Sequence, residues 1–189
     1  MKYVAIGGLA IVGMFVLFGA LLGLGYIGFS NDANRYEVQI KAKYTDNQNV
    51  YDNGWKKVKE MAQVPDMQVA GLKELYDSTM KGRYGAGGSQ AMLQFIKEQN
   101  PNLDQGTYIK IQVAVEDFHN DFQSNQTQLI SIKQSYEAYL TATTSGRFYN
   151  MIGHYPRIDM SKYDIVTSDK TQKDFDTKKA DELKLHESK

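Results

Sequence analysis

One pair of side chains in this sequence has the spacing of a metal-binding motif. Glu116 and His119 form a Glu-x-x-His sequence, and on a helix that spacing places both side chains on one face. Di-iron sites in four-helix bundles use two such motifs and two further glutamates, all directed inward. Because the motif occurs once in this chain, a metal-dependent helical bundle that uses Glu116 and His119 is the alternative hypothesis, not the leading one.

The residues around this pair favour a solvated surface. On a helix, Val115, Phe118 and Phe122 take the inward positions, which directs His119 to the flank or to solvent. The chain has no cysteine, which excludes thiol chemistry and zinc–thiolate sites. We therefore predict no catalytic residue, no cofactor and no metal ligand.

Glycine and aromatic residues do not alter that prediction. The glycine-rich segment at residues 82–89 lacks the Lys-Ser/Thr end of a phosphate-binding loop and follows no predicted strand. We expect a flexible loop there, with Ser89 capping the next helix. The aromatic side chains on the predicted helices are expected to be core and not a ligand site: Tyr36, Tyr44, Tyr51, Trp55, Phe118 and Phe122.

The clearest periodic pattern lies in the second half of the chain. Residues spaced by steps of four and three form a heptad seam, which predicts a coiled-coil-like helix from about residue 105 to about residue 141. At 1.5 Å per residue such a helix is nearly 60 Å long, which favours an elongated antiparallel bundle. Asn125 is its one polar member and could fix the register, with Asn47 a conceivable partner. The seam consists of Ile111, Val115, Phe118, Phe122, Asn125, Leu129, Ile132 and Tyr136.

The remaining helices follow from breaks in the sequence. We predict a helix that continues from the N-terminal apolar segment to about Gln63, where Val64-Pro65-Asp66 interrupts it. A second helix extends to about Lys81, and Pro65 is compatible with either a kink or a reversal. Short helices are expected up to Gln99 and over residues 147–154.

Residues 3–29 form one apolar segment without a charged residue. A helix of about 27 residues reaches about 40 Å, which is enough to cross a hydrocarbon core of about 30 Å with some tilt. The segment is too long for a cleaved signal peptide, so we predict a signal anchor that contacts the lipid bilayer. Gly19 and Gly23 form a GxxxG pattern, through which two anchors could pack into a homo-oligomer.

Charge and composition bound the rest of the chain. The sequence has 22 basic and 22 acidic residues, so it carries no basic surface for nucleic acid. Positive charges near the span, counted alone, slightly favour a cytoplasmic C-terminal domain. We predict three parts: a transmembrane anchor at residues 1–30, an all-α helical-bundle domain at 31–160, and a charged, flexible tail at 161–189.

Five segments of the chain carry a family resemblance: Asn49 to Val58, Val64-Pro65-Asp66, Asn100-Pro101-Asn102-Leu103, Gln112 with Glu116 to Asn120, and Phe148 to Pro156. Their residues and their order resemble those of the LemA family over about residues 44–160. Two departures are Glu60-Met61-Ala62-Gln63, where the family has a double arginine, and Ser124-Asn125-Gln126-Thr127, where it has Glu-Asn-Arg-Ile. The chain is thus similar to a divergent member, which a bacterium or a bacteriophage could encode.

The resemblance implies a membrane-anchored helical bundle without established enzymatic activity. It also implies that most of the chain lies on the periplasmic or extracellular side, which outweighs the charge count. From residues and resemblance together we expect a single-pass membrane protein that displays a helical domain to an unknown protein partner at the cell envelope.

Overall fold

A computed structural model describes residues 2–82, 85–166 and 176–177 of the 189-residue chain. Side chains are described for residues 11–82, 89–166 and 176–177. These residues form helices and connecting turns, and they contain no strand. The prediction of an all-α protein is therefore confirmed. The helices are α1 (Lys2–Ala62), α2 (Val69–Lys81), α3 (Gly85–Gln99), α4 (Gln105–Thr141) and α5 (Thr144–Gly153), with short 3-10 helices at Asp66–Gln68 and Met160–Tyr163.

Helix α1 is a single helix of 61 residues, as predicted from the lack of a strong breaker before Pro65. It ends at Ala62, because Gln63 adopts a left-handed conformation with φ of 47° and Pro65 cannot donate a backbone hydrogen bond. The chain reverses direction there, since the Tyr76 hydroxyl of α2 donates to the Tyr51 carbonyl of α1 at 2.9 Å. Of the two possibilities left open at Pro65, the structure has the reversal.

The start of α3 differs from the prediction. A loop was expected over residues 82–89, but the helix begins at Gly85, and Ser89 is a buried residue inside it rather than its cap. Glycine lowers helix stability by only about 1 kcal/mol per residue, which tertiary packing can offset. Met92, Leu93 and Ile96 provide that packing, because all three are buried in one hydrophobic cluster with residues of α2.

The long helix predicted from about residue 105 to about 141 is confirmed as α4. The Asp104 carboxylate accepts a hydrogen bond from the Thr107 amide at 2.9 Å, which caps the N-terminus and lowers the pKa of Asp104. Thr143 caps α5 in the same way by accepting from the Gly146 amide. Helix α5 therefore begins three residues before the predicted Arg147.

The chain divides into two compact units. The first unit comprises Met1–Ala42 and Leu129–Asp164, and the second comprises Lys43–Gln128 and Ile165–Lys189. In each unit, contacts between α1 and α4 show that the two segments are antiparallel, because residue numbers rise along α1 while they fall along α4. In the second unit, Tyr51 contacts Phe122 and Gly54 lies against Phe118. In the first unit, Phe29 stacks on Tyr139 and Tyr36 stacks on Tyr136. The core of the second unit contains Val58, Ala62, Leu72, Tyr76, Met80, Met92, Leu93, Ile96, Ile111 and Val115.

The first residues of the predicted tail make specific contacts. In the first unit, Lys133 Nζ donates to the Tyr163 carbonyl at 3.2 Å and also pairs with the Asp164 carboxylate. In the second unit, the Val166 amide donates to Gln126 Oε1 at 3.3 Å. Most of the predicted flexible tail, residues 167–175 and 178–189, lies outside the described residues.

Candidate functional site

The structure does not assemble a metal site around Glu116 and His119. Glu116 is exposed and accepts a weak hydrogen bond from Gln112 at 3.4 Å. His119 is half-buried, so of the two positions considered for it, the flank or solvent, the structure has the flank. Among the described residues, its Nδ1 atom has no hydrogen-bond partner, and burial lowers its pKa. The part of the chain that the structure describes contains no group of three or more potential metal-ligating side chains.

The seam residues lie on the inward side of α4 in both units. In the second unit, Phe118 and Asn125 are half-buried, whereas Ile132 is the half-buried member in the first unit. The Phe118 ring contacts α1 at Gly54, where only a glycine leaves room for it. The buried seam residues are Ile111, Val115, Phe122, Leu129 and Tyr136.

Asn125 is paired with a cation and not with Asn47. Lys43 Nζ donates to Asn125 Oδ1 at 2.8 Å, and the Asp46 carboxylate lies 3.8 Å from the same nitrogen. Asn47 is only 5% exposed, and its Oδ1 has no hydrogen-bond partner among the described residues. The expectation that Asn47 could pair with Asn125 is therefore wrong, because Asn47 Oδ1 accepts no hydrogen bond from any described residue and the polar partner that reaches Asn125 from α1 is Lys43.

A cluster of aromatic and charged side chains lies between α1 and α2 in the second unit. The Asp77 carboxylate accepts hydrogen bonds from the Tyr51 hydroxyl and from Lys73 Nζ. The Lys73 ammonium lies 4.4 Å from the centre of the Tyr51 ring and 5.2 Å from that of Trp55. Cation–π attraction and the ion pair therefore hold Lys73 in place.

The tyrosines of this cluster act as hydrogen-bond donors. Burial raises the pKa of Tyr51, and its hydrogen bond to Asp77 raises that pKa further. Burial raises the pKa of Tyr76 as well, with the Asp77 charge adding to the effect. Both hydroxyls donate to acceptors within the chain, Tyr51 to the Asp77 carboxylate and Tyr76 to the Tyr51 carbonyl, which is a structural use of these groups.

An open groove of about 630 Å³ lies on the surface of the second unit, between the end of α1 and the first part of α4. Its apolar side chains include Ile109 and Val113, which are 50% and 51% exposed. Charged side chains of both signs flank them, among them Lys57, Lys110 and Asp117. An apolar strip with mixed charges around it has the composition of a protein-binding surface.

The N-terminal part of α1 is the second surface of interest. It contains the one helical segment, among the described residues, that is long and apolar enough to cross a membrane, with a mean hydropathy of 2.1 and 0% burial. Gly19 and Gly23 are exposed within it, and a Cβ atom at either position would meet no described atom within 4 Å.

A buried carboxylate in the first unit was not singled out from the sequence. Glu37 is 4% exposed, and its Oε1 accepts hydrogen bonds from the Tyr136 hydroxyl at 2.8 Å and the Arg157 amide at 2.6 Å. Ala33 and Ile40, four residues before it and three after it, are fully buried. That helical spacing is the sequence signal that places Glu37 on an inward face.

Comparisons with known proteins return no relative. No protein-family model, no curated protein and no solved structure matches the chain.

Proposed function

We propose that this chain is a membrane-anchored, non-enzymatic protein of the LemA type that presents its helical region to a protein partner at the cell envelope. The observation that carries the proposal is the continuity of α1. Its residues near Ile11 to Ile27 expose large apolar side chains, whereas Val58 and Ala62 of the same helix are fully buried in a helical core. One helix thus supplies both a lipid-compatible segment and part of a packed domain.

Helix boundaries support the family proposal. The chain leaves α1 at Val64-Pro65-Asp66, connects α3 to α4 through Asn100-Pro101, and leaves α5 before Tyr155-Pro156. These are three of the segments that carry the resemblance to LemA proteins. All three segments lie where a helix ends, and proline terminates helices. A related protein with the same helix ends would therefore need similar residues at these positions.

The chemistry of the polar side chains supports binding rather than catalysis. Tyr51, Tyr76 and Tyr136 are held in their protonated form, and each donates its hydroxyl to a fixed acceptor within the chain. Groups used in this way stabilise packing. The exposed apolar residues of the groove, in contrast, are available to a partner.

A negative charge introduced into the groove tests the partner proposal. Val113→Glu places a carboxylate in the apolar strip, whereas Gln112→Glu adds the same charge to the neighbouring exposed position of α4. After cross-linking in intact cells, we expect the parent chain and Gln112→Glu to recover the same envelope protein and Val113→Glu to lose it. Recovery of the bait alone, or equal recovery by all three, would contradict the proposal.

The absence of cysteine allows a direct test of the anchor and its orientation. Gln39→Cys places a thiol on an exposed position of α1 beyond the apolar segment, and Leu17→Cys places one within it. A membrane-impermeant maleimide should label Gln39→Cys in intact spheroplasts and leave Leu17→Cys unlabelled even after lysis. Labelling of Gln39→Cys only after lysis would reverse the orientation, and labelling of Leu17→Cys would exclude the span.

A further inference from the structure

Helix α5 has an apolar face that no described part of the chain covers. Phe148, Met151 and Ile152 are 42%, 70% and 50% exposed. Their spacing of three and four residues places them on one side of the helix. The opposite side contains Gly146, which is buried, and Asn150, whose Oδ1 accepts from the Tyr155 amide at 2.9 Å. The exposed face is therefore separate from the face that the fold uses.

Contacts within the first unit place α5 beside the C-terminal end of the apolar segment of α1. The Tyr149 ring lies 6.2 Å from that of Tyr26 and 5.7 Å from that of Phe29. The Tyr149 hydroxyl lies so close to Gly25 that a Cβ atom at position 25 would collide with the hydroxyl oxygen. Helix α5 thus packs against α1 at residues 25–29.

Those residues are at the depth of the lipid headgroups if the apolar segment spans a bilayer. The segment is longer than the hydrocarbon core, and if it stands upright with Tyr3 at the far face, about 20 residues cover about 30 Å and reach Leu22. Residues 25–29 then lie just beyond it, in the zone where tyrosines concentrate. Tyr26, Tyr149 and Tyr155 cluster there, with the Tyr155 hydroxyl 2.7 Å from Ser30 Oγ.

We propose that α5 is an interfacial helix that lies on the same bilayer leaflet from which α1 emerges. Phe148, Met151 and Ile152 enter the boundary between headgroups and acyl chains. Arg147 lies on the flank of the helix, where its Nε donates to the Thr141 carbonyl at 2.7 Å and its exposed guanidinium brings a positive charge to the lipid phosphates. The inference rests on the membrane span proposed above. The ligand of this surface is a phospholipid bilayer, because α5 packs beside the end of the apolar segment of α1 and both expose large apolar side chains there, among them Leu24 and Ile27.

Spin labels at single cysteines test this assignment in the full-length protein reconstituted into phosphatidylcholine–phosphatidylglycerol nanodiscs. Met151→Cys reports the proposed face, Leu17→Cys reports the span, and Ser135→Cys reports an exposed polar position of α4 in the same unit. The measured quantity is the ratio of label accessibility to oxygen, which partitions into lipid, over accessibility to a water-soluble nickel chelate. We expect the ratio at Met151 to lie between that at Ser135 and that at Leu17.

Each outcome separates the two proposals. A water-like ratio at Met151 with a lipid-like ratio at Leu17 would overturn the assignment of α5 and leave the span intact. A water-like ratio at Leu17 would overturn the span itself. Low accessibility at Met151 to both reagents, with dipolar broadening between labels, would overturn the assignment in favour of a second copy of the chain on this face.

Discussion

At the scale of single residues, Glu37 fixes the segment after α5 to α1. Its carboxylate accepts from the Arg157 amide and the Tyr136 hydroxyl, so Glu37→Ala leaves two donors without their acceptor. Each unpaired buried donor costs about 1–3 kcal/mol. We expect faster hydrogen exchange of the Arg157 amide in Glu37→Ala, measured by mass spectrometry.

The control for this experiment is Gln39→Ala, at an exposed position two residues along the same helix. Its effect on the exchange of the Arg157 amide should be negligible. Equal exchange in Glu37→Ala and the parent chain would show that the carboxylate does not hold this segment.

For Asn125→Leu, the structure reverses the effect on stability that the sequence alone predicts. A polar seam residue replaced by leucine would ordinarily stabilise a helical core, but the Asn125→Leu substitution removes an acceptor of the Lys43 ammonium, whose side chain is only 17% exposed. We expect a loss of about 1–2 kcal/mol in the free energy of unfolding. Trp55, the one tryptophan and a residue of the same unit, provides the fluorescence signal for denaturant titration.

The double substitution Lys43→Met with Asn125→Leu is the sharper comparison. Replacing both partners by apolar side chains removes the unpaired cation, so most of the lost stability should return. A double variant no more stable than Asn125→Leu alone would mean that the amide stabilises the unit in another way.

These two residues show where sequence reasoning reaches its limit at this scale. The heptad spacing identified Asn125 as an inward position, because periodicity encodes direction along a helix. It could not identify Lys43 as the partner, because the pairing depends on how α1 and α4 align. Glu37 has an inward spacing too, yet only the fold shows that Tyr136 and Arg157 satisfy its carboxylate.

At the scale of elements, Gly54 determines how closely α1, α2 and α4 approach in the second unit. Alanine stabilises an ordinary helix interior by about 1 kcal/mol over glycine. A Cβ atom at Gly54, however, would collide with the Tyr76 hydroxyl and lie 2.9 Å from Cγ of Phe118. Because this overpacking costs about 1–3 kcal/mol, we expect Gly54→Ala to destabilise the unit in Trp55-monitored unfolding.

Gly28→Ala is the matched control in the same helix, since a Cβ atom there meets no described atom within 4 Å. It should leave the stability of the second unit unchanged. If Gly54→Ala raised the unfolding midpoint instead, the helices would have room for a Cβ atom at position 54, and the predicted collision would be wrong.

The predictability of each helix followed the strength of its local signal. Helices α1 and α4 were predicted from unbroken periodic sequence and from Pro65 and Asp104 at their ends. The start of α3 was not, because Gly85 and its neighbours favour a loop locally and only contacts of Met92 and Ile96 with α2 offset that preference. Pro65 predicted a break in the helix but not its direction. The reversal became clear only from the hydrogen bond between the Tyr76 hydroxyl of α2 and the Tyr51 carbonyl of α1.

At the scale of the whole molecule, both units bury tyrosines next to carboxylates, so alkaline pH should destabilise both. Burial is the largest cause of the raised pKa of Tyr51 and Tyr76 in the second unit and of Tyr136 in the first. Hydrogen bonds to Asp77 and Glu37 raise the pKa of Tyr51 and Tyr136 further. A tyrosine in the unfolded chain, in contrast, loses its proton near its ordinary pKa of 10.0.

The free energy of unfolding should therefore be constant up to about pH 9 and fall as the pH rises above about 10, because only the unfolded chain releases these protons. Far-UV circular dichroism during denaturant titration measures this slope over both units.

Tyr51→Phe and Tyr136→Phe should each make the fall shallower, whatever their effect at neutral pH. Tyr108→Phe leaves both tyrosine–carboxylate pairs intact, so it should retain the parent slope. A parent-like slope in both test variants would assign the alkaline loss to other groups and exclude the two tyrosine–carboxylate pairs as its cause.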